Sequence, residues 1–557
     1  MKMTKAVKEK VKVSTSQKVT NFMNGVSYKS LNPVTRLKLI ATSSIFGEPS
    51  YYRNGSFGEA QIKDAICGKG KIFLNSGLDV FEDIAPGAKT TEIMEETIDK
   101  ALSYDFLETL KFAVELRTTY NMRLNPQVIM VRAAKHPSRI EFTKKYPGLF
   151  NEINQKVMSR PDEPASQLTY TLYLSHEVGK NTKKNIPNIL KKSWANKLES
   201  LTSYQVAKYK NSHIGMIDTV RICHANSLVL DELMTTGQVN VDDDDKTWEN
   251  LRSEGKTWHE ILKTIKLGHM ALLRNLNNIF KENWTYEEAK EILETLVKGV
   301  KNGKQFPFRY WVAMKNINRD SNHIALIKDA LEECIDVACD NMPKLKGKTV
   351  ALSDNSGSAW GTIPSEYGSV KVAEIDNLSA LIAARNSDEG EVGLFGDTLK
   401  MYPISKRNGL LKQLNDFDIM VGGCTENGIW LFFKDAIDNK KFVDNIFIFS
   451  DQQAGHGGLY GTYSQIEIYR EKYGCNSCDK YVDVLKLVEE YRKTVNPKVN
   501  VFSVQTAGYN NTVLPEYAYR CNLLSGWTGK EVIFADAVIR QWNEVDKSFD
   551  SQDKSSQ

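Results

Sequence analysis

The sequence of 557 residues has few cysteines, no long apolar run and only a small excess of positive charge. Its eight cysteines are scattered, unlike the dense framework of a small disulfide-bonded secreted domain. No apolar run reaches the roughly 18 residues of a membrane span, and none of signal-peptide length follows the basic N-terminus. We therefore expect a soluble, cytoplasmic protein without a membrane partner, whose thiols are reduced and mostly buried.

Motifs of several enzyme classes are also missing. Neither Gly-x-Ser-x-Gly nor His-Glu-x-x-His occurs, and the histidines are dispersed without metal spacing. The two Gly-Lys-Thr triplets follow Asn250 and Met342 at the position where a P-loop requires glycine. Cys475 and Cys478 form a single CxxC pair with no second pair beside it, which favours loop thiols over a site. We expect no catalytic residues and no enzymatic activity.

Two hydrophobic patterns divide the chain. From about residue 34 to 344 apolar residues recur at helical spacing, which predicts helical hairpins stacked as a HEAT-like array. After about 345, short apolar runs alternate with amphipathic helices, which predicts a parallel sheet covered on both faces. The predicted strands are 349–352, 392–395, 446–449, 499–504 and 521–524, and the predicted helices between them are 370–386, 426–438 and 480–494.

The fold class is thus α plus α/β, with a helical repeat domain followed by a doubly wound, Rossmann-like domain. The net charge of +4 is too small to indicate whether the protein binds nucleic acid. The local distribution of Lys and Arg is therefore more informative. We predict an N-terminal arm at 1–30, a helical domain at 31–345, a doubly wound domain at 346–545 and a flexible tail at 546–557.

A candidate metal site follows the first predicted strand of the second domain. Asp354, Ser356 and Ser358 supply one carboxylate and two hydroxyls at alternate positions, which suits Mg²⁺ or another hard divalent cation. An ordinary turn, which is often rich in Asp, Asn, Ser and Gly, would also explain these residues. However, the carboxyl ends of strands are where open α/β sheets bind ligands. Thr425 and Asp451 lie at further strand ends of the same rim.

Together these parts resemble the von Willebrand factor A (vWA) domain and its metal-ion-dependent adhesion site, over about 346–540. The resemblance implies that Asp354, Ser356 and Ser358 ligate the metal, and that Thr425 and Asp451 complete the shell directly or through water. A dication with few carboxylates keeps positive charge and can take an acidic ligand from a partner. Ser353 and the run Ser450-Asp451-Gln452-Gln453 depart from the family pattern without removing a ligand.

A basic segment lies in the helical half. Between Lys144 and His224, 13 Lys and Arg residues stand against 6 acidic ones. Such an excess can bind phosphates, although lysine runs are often only solvated helix faces. Tyr204, Tyr209, His213 and His224 are interleaved with the cations, and each can serve either as a stacking group or as an ordinary packed or surface residue.

Three stretches, Ala207–Lys210, Asp218–His224 and above all Met270–Leu276 (MALLRNL), make the chain similar to the TROVE-domain Ro autoantigen family over roughly 30–540. The family implies a ring of HEAT-like repeats closed by the vWA domain. It also implies that the protein binds noncoding Y-like RNA on a basic outer surface and accepts single-stranded 3′ ends of misfolded RNA in a central hole. Lys208, Lys210, Arg221 and His224 fall where the family's motif binds Y RNA, and His213 lies between them in the sequence. Arg274 and Asn275 are expected to contact RNA or to hold the repeats together.

The first hypothesis is therefore a monomeric RNA scaffold for RNA quality control or ribonucleoprotein assembly, with an exoribonuclease or another protein docking at the metal rim. A rival is a protein–protein scaffold that grips an acidic residue of its partner through the metal. A Mg²⁺-dependent phosphoesterase is weaker, because two-metal hydrolysis needs several converging carboxylates and the sequence offers two at most. RNA that copurifies with the protein would separate the first two hypotheses.

Overall fold

The computed structural model describes both halves of the chain. The ranges are 16–20, 26–30, 32–41, 90–119, 122–177, 186–209, 215–240, 246–303, 305–357, 359–360, 362–365, 368–396, 398–417, 419–421, 427–450, 452, 484–506, 511–515, 518–525, 529 and 531–555. These residues form two compact units. The described residues of one unit lie within Met1–Ser43, Pro49–Ile93 and Leu272–Gln557, and those of the other lie within Met94–Ala271. The domain boundaries set from the sequence stay predictions.

Helices dominate the described chain up to Asp340, as the apolar spacing predicts. They are α1 (Pro33–Ala41), α2 (Thr90–Tyr104), α3 (Phe106–Thr118), α4 (Asn125–Lys135), α5 (Arg139–Lys145), α6 (Leu149–Val157), α7 (Glu163–Glu177), α8 (Asn188–Glu199), α9 (Ser203–Tyr209), α10 (Met216–Cys223), α11 (Leu228–Thr236), α12 (Trp248–Ser253), α13 (Trp258–Thr264), α14 (His269–Ile279), α15 (Tyr286–Gly303), α16 (Pro307–Lys315) and α17 (Ile324–Asp340).

Capping residues and prolines set the limits of these helices. Helices α2 and α3 are separated at Asp105, whose carboxylate accepts a hydrogen bond from the backbone N–H of Glu108 and so starts α3. Pro126 and Pro307 lie in the first turns of α4 and α16, where a proline's missing N–H has no intrahelical partner to lose. The local sequence therefore helps to determine where α3, α4 and α16 begin.

A buried polar network joins four helices of the second unit. Gln167 of α7 donates to the side-chain oxygens of Gln127 on α4 and Asn154 on α6, at 2.7 Å in both cases. The amide oxygen of Gln167 accepts from the indole N–H of Trp194 on α8 at 2.8 Å. All four side chains are almost completely buried. Because buried polar groups are costly without partners, this network favours one particular packing of the helices.

A six-stranded sheet forms the core of the α/β part. Its strands lie in the order β11 (Cys521–Ser525), β9 (Asn500–Gln505), β8 (Asn445–Ser450), β3 (Leu345–Asp354), β6 (Ser387–Phe395) and β7 (Leu399–Pro403). The first five are parallel, and β7 pairs antiparallel with β6 at one edge. The α plus α/β fold class is confirmed, while the antiparallel edge strand was not expected from the sequence.

Helices α18 (Val372–Arg385), α19 (Leu410–Asn415), α20 (Asn427–Asp438) and α21 (Val484–Thr494) accompany the sheet. Val350 and Leu352 of β3 pack in one apolar cluster with residues of α20 and α21. Ser353, which points to the other face because side chains alternate along a strand, contacts Asn377 of α18. Helices therefore cover both faces, as near-continuous apolar strands predict.

Two small sheets and one long helix lie outside the predicted pattern. Strand β2 (Val26–Ser30) pairs with β1 (Ser16–Thr20) and with β10 (Asn511–Thr512), so part of the predicted arm is β-structure. Strands β4 (Thr362–Ser365) and β5 (Gly368–Lys371) form a hairpin. Helix α22 (Glu531–Ser555) extends into the segment 546–557, for which the flexible tail stays a prediction.

Tertiary contacts hold part of α22 in place. The carboxylate of Asp546 accepts hydrogen bonds from the Arg520 guanidinium at 2.7 Å and from the Tyr519 hydroxyl at 3.0 Å. Arg520 is itself buried and also donates to Asn543 of the same helix. Tyr519 and Arg520 lie 27 and 26 positions before Asp546 in the sequence. The polar composition of the segment 546–557 therefore does not reveal these contacts.

The described cysteines agree with the expectation of buried, reduced thiols. Cys223, Cys334, Cys339 and Cys521 are free and buried. Burial raises the pKa of Cys334 to about 12 and raises the pKa of the other three thiols above its ordinary value. They are therefore protonated at neutral pH and poor nucleophiles. Cys475 and Cys478 lie outside the described residues.

Candidate functional site

Asp354 occupies the point where the sheet reverses its strand order. It is the last residue of β3, which lies between β6 and β8, and the chain adds strands first on the β6 side and then on the β8 side. Numbered along the chain, the six strands have the doubly wound order 3-2-1-4-5-6. Ligands of such sheets bind at this switch point, beyond the carboxyl ends of the strands. The fold therefore places the first predicted ligand where a site is expected.

The carboxylate of Asp354 is buried and held on both oxygens. Its Oδ1 accepts a hydrogen bond from the backbone N–H of Ser356 at 2.9 Å, and its Oδ2 contacts the Ser450 hydroxyl at 3.1 Å. The side chain of Ser356, the second predicted ligand, is also buried. The Asp354 turn thus offers buried hard oxygen atoms, which fit a cation such as Mg²⁺.

The turn after Asp354 is fixed by its neighbours. The backbone N–H of Asn355 donates to the Phe395 carbonyl at the end of β6, and the Asn355 carbonyl accepts from Val421. At Gly396 a Cβ would lie 2.4 Å from the Val421 carbonyl oxygen, so only glycine fits there without displacing the backbone. The end of β6 and Val421 therefore hold the Asp354 turn in place.

Ser450 and Gln452 form a second support that the sequence pattern did not reveal. The backbone N–H of Gln452 donates to the Ser450 hydroxyl at 2.9 Å, which leaves the hydroxyl proton for Asp354. Gln452 is completely buried and has a positive φ of 62°, which is uncommon for a residue other than glycine. Its side-chain amide donates to the Val504 carbonyl and accepts from the Ser503 hydroxyl. Gln452 thereby anchors Ser450 to β9.

Two of the five predicted metal ligands, Asp354 and Ser356, lie in the described part of the chain. Ser358, Thr425 and Asp451 lie outside the described residues. Within the described part of the chain, no three His, Cys, Asp or Glu side chains cluster as metal ligands. A centre with several carboxylates, as two-metal hydrolysis needs, is therefore not present in that part. The described geometry brings together Asp354 and Ser356, supported by Ser450.

The predicted nucleic-acid residues lie on two neighbouring helices. Lys208 is exposed on α9, and Arg221 is exposed on α10, with His224 exposed directly after it. Both helices pack against α11. His224 ends α10 in the left-handed conformation at φ 56°, and its backbone N–H donates to the Val220 carbonyl. Lys210 and His213 lie outside the described residues.

Lys208 is surrounded by tyrosines. Its Nζ donates to the Tyr204 hydroxyl at 3.1 Å and lies 5.2 Å and 5.8 Å from the ring centres of Tyr204 and Tyr209. Partial burial lowers the pKa of Lys208, but the Tyr204 hydroxyl and the neighbouring acidic groups raise it above its ordinary value overall. The lysine is therefore fully charged at neutral pH and is available to a phosphate.

Arg160, which the sequence offered only as one of many basic residues, extends this row. Its guanidinium carbon lies 5.1 Å from the Tyr209 ring centre, and its Nε and Nη2 donate to the Asp162 carboxylate at 2.9 Å and 3.0 Å. Burial opposes ionisation of Asp162, but the Arg160 guanidinium lowers the pKa of this carboxyl overall. The bidentate pair fixes Arg160 against Tyr209.

The MALLRNL stretch contains one buried and one exposed polar residue. Asn275 is buried in α14 and accepts a hydrogen bond from Asn278, whereas Arg274 is exposed. Asn275 therefore belongs to the helix packing, which is the structural one of its two expected roles. The position of Arg274 is compatible with a ligand contact.

Comparison with known proteins agrees with this architecture. Residues 243–336 match the family model of the TROVE domain, which covers α12 to α16 and most of α17. The fold is similar to the crystal structure of the Ro (RSR) protein of Deinococcus radiodurans, with a TM-score of 0.54 and 13% sequence identity over 86% of this chain and 99% of that one. The predicted resemblance to Ro-type TROVE proteins is thereby confirmed. No curated protein matches the sequence.

The matched segment does not include the predicted nucleic-acid residues. Lys208, Arg221 and His224 lie before residue 243, where the TROVE match begins. Their roles therefore rest on the sequence resemblance and on their geometry. No helix among the described residues has the length and apolar character to cross a membrane.

Proposed function

We propose that this protein is an RNA-binding scaffold of the Ro type. The observation that carries the proposal is the set of exposed cations on α9 and α10, within a segment that has 13 basic and 6 acidic residues, in a chain with a TROVE match and a Ro fold. Lysines neutralise phosphates without the bidentate planar geometry of arginine, so this surface is suited to position RNA more than to read its sequence.

The finer parts of the proposal come from the family resemblance. Structured, Y-like noncoding RNA would lie on the basic surface, and single-stranded 3′ ends of misfolded RNA would enter a central hole formed by the repeats. The protein would act in RNA quality control or ribonucleoprotein assembly without catalysis.

Charge reversal tests the basic surface. Exchanging Lys208, Lys210 and Arg221 for Glu should weaken binding of a structured RNA and reduce the log–log salt slope by about two to three units, because each phosphate contact contributes slightly less than one. The measurement is a salt-dependent RNA titration. A matched control reverses the exposed Lys290, Lys298 and Lys301 of α15. Equal affinity and slope in wild type and the α9–α10 variant would place the site elsewhere.

We further propose that the Asp354 turn binds Mg²⁺ with Ser356, Ser358, Thr425 and Asp451. Bound there, the cation would supply positive charge to an acidic group of a protein partner, for example an exoribonuclease. What supports this is the buried Asp354 carboxylate at the switch point of the sheet, held in place by the Ser356 N–H and Ser450. Asp354→Ala should abolish Mg²⁺ binding in calorimetry and leave the helices folded by circular dichroism. Unchanged Mg²⁺ affinity would remove this assignment.

The protein–protein scaffold remains the second candidate, since the same metal rim would serve it. RNA that copurifies specifically with the wild-type chain, and not with the α9–α10 variant, would favour the RNA scaffold. A protein partner lost in Asp354→Ala, without such RNA, would favour the alternative.

A further inference from the structure

Cationic and aromatic side chains alternate in a row that ends at Tyr204. Arg160 lies beside the Tyr209 ring, and Lys208 lies near both the Tyr209 and the Tyr204 rings. Arg160 and Lys208 lie 5.1 Å and 5.8 Å from the centre of the Tyr209 ring, and Tyr204 has 37% of its surface exposed. The row therefore presents a tyrosine ring to solvent next to a charged lysine.

Lys208 does not cover the middle of the Tyr204 ring. Its Nζ is 3.1 Å from the hydroxyl oxygen but 5.2 Å from the ring centre, so the ammonium lies at the hydroxyl edge of the ring and not above its middle. Tyr204 and Lys208 are one helical turn apart on α9, which keeps them on the same side of the helix. The hydrogen bond also restricts the motion of the ring.

The N-terminal turn of α9 is held by its own side chains. Gln205 accepts a hydrogen bond from the Thr202 backbone N–H at 3.1 Å, and the Thr202 hydroxyl accepts from the Gln205 backbone N–H at 3.3 Å. This reciprocal cap fixes the backbone that carries Tyr204. An exposed ring on a fixed backbone loses little conformational entropy when a planar ligand stacks on it.

We infer that Tyr204 is a stacking platform for an unpaired RNA base, with Lys208 contacting an adjacent phosphate. The inference rests on the proposed RNA-binding function and adds the class of RNA element that this surface takes. Paired bases already stack on their neighbours, whereas bases of loops, bulges and ends can be splayed onto an aromatic ring. A flat ring beside a cation matches a nucleotide, which joins a planar base to a phosphate.

The inference is tested with a single-stranded oligoribonucleotide that carries the fluorescent base 2-aminopurine. Tyr204→Ala should weaken binding about tenfold, within the usual range for loss of one base–aromatic stack. Tyr204→Phe should retain most of the affinity and the quenching of 2-aminopurine, because the ring is kept. The salt slope of Tyr204→Ala should equal that of wild type, since no phosphate contact is removed.

The control is Tyr286→Ala, which removes an exposed tyrosine from α15 in the other unit. Thermal melting of Tyr204→Ala and Tyr204→Phe shows whether each variant is folded. If wild-type protein binds RNA but Tyr204→Ala binds with the same affinity and quenching, the stacking platform is overturned and the proposed function stands. If Tyr204→Phe loses as much as Tyr204→Ala, the hydroxyl and not the ring is what matters. If wild type binds no RNA, both proposals fail.

Discussion

At the scale of one residue, Ser450 allows a sharp test of the proposed metal site, because its hydroxyl contacts Asp354 although Ser450 is not itself a predicted ligand. Ser450→Ala should lower Mg²⁺ affinity by about tenfold or more, since outer partners of metal ligands typically contribute 10- to 100-fold. Ser450→Thr, which retains the hydroxyl, should restore most of the affinity. Isothermal calorimetry with MgCl₂ gives the values.

The matched control for this variant is Ser503→Ala. Ser503 is equally buried and bonds to the same Gln452, but its hydroxyl does not contact Asp354 in the described hydrogen bonds. Both alanine variants should melt at similar temperatures in EDTA, while only Ser450→Ala loses Mg²⁺ affinity. A parallel loss in the two variants would mean that the strand, and not the Asp354 carboxylate, was disturbed.

The sequence predicts Asp354 and Ser356 as metal ligands because an Asp-x-Ser motif directly follows an apolar run. It could not identify Ser450 and Gln452 as supports. Their role depends on a left-handed backbone at Gln452 and on the pairing of β8 with β3. Neither feature can be predicted from the local sequence. The sequence showed that Gln452 departs from the pattern of the vWA domains that it resembles, but it did not show that Gln452 supports Ser450.

At the scale of elements, apolar spacing predicted a helical first half and the five parallel strands, because burial imposes a period of 3.6 or near-continuous apolar runs. It missed β7, whose burial is partial and irregular at the sheet edge. It also missed the pairing of β2 with β10, which joins residues nearly 500 positions apart. Non-local pairing of short polar strands cannot be derived from local periodicity.

The polar network of α4, α6, α7 and α8 leads to a stability prediction. Gln167→Leu leaves Gln127, Asn154 and Trp194 each without one buried partner, so the free energy of unfolding of the helical unit should fall by about 3 kcal/mol. Trp194→Phe removes one of these hydrogen bonds and should cost less. Urea unfolding followed by circular dichroism at 222 nm gives both values.

A double mutant provides the control for this network. Gln167→Leu and Trp194→Phe break the same hydrogen bond, so the double variant should lose less stability than the sum of the single variants. Strict additivity would show that the two side chains act independently and that the network does not select the helix packing.

At the scale of the whole molecule, the Ro resemblance distinguishes two places for RNA: an outer basic surface and a central hole in a ring of repeats. The first is supported here by the exposed cations of α9 and α10. The second is an expectation of the family. An unpaired strand is much narrower than a duplex, so only an RNA with a single-stranded tail could use both.

The two places can be separated by competition between RNAs. A hairpin with an unpaired 3′ tail should bind more tightly than the same hairpin with a blunt end, and the advantage should grow with tail length more than it varies with tail sequence, because a basic channel follows the phosphate backbone. The α9–α10 charge-reversal variant should weaken the blunt hairpin strongly and preserve much of the advantage that the tail confers. Equal competition by blunt and tailed hairpins would restrict RNA to the outer surface. A tail advantage that disappears in Tyr204→Ala would instead locate the unpaired strand on α9.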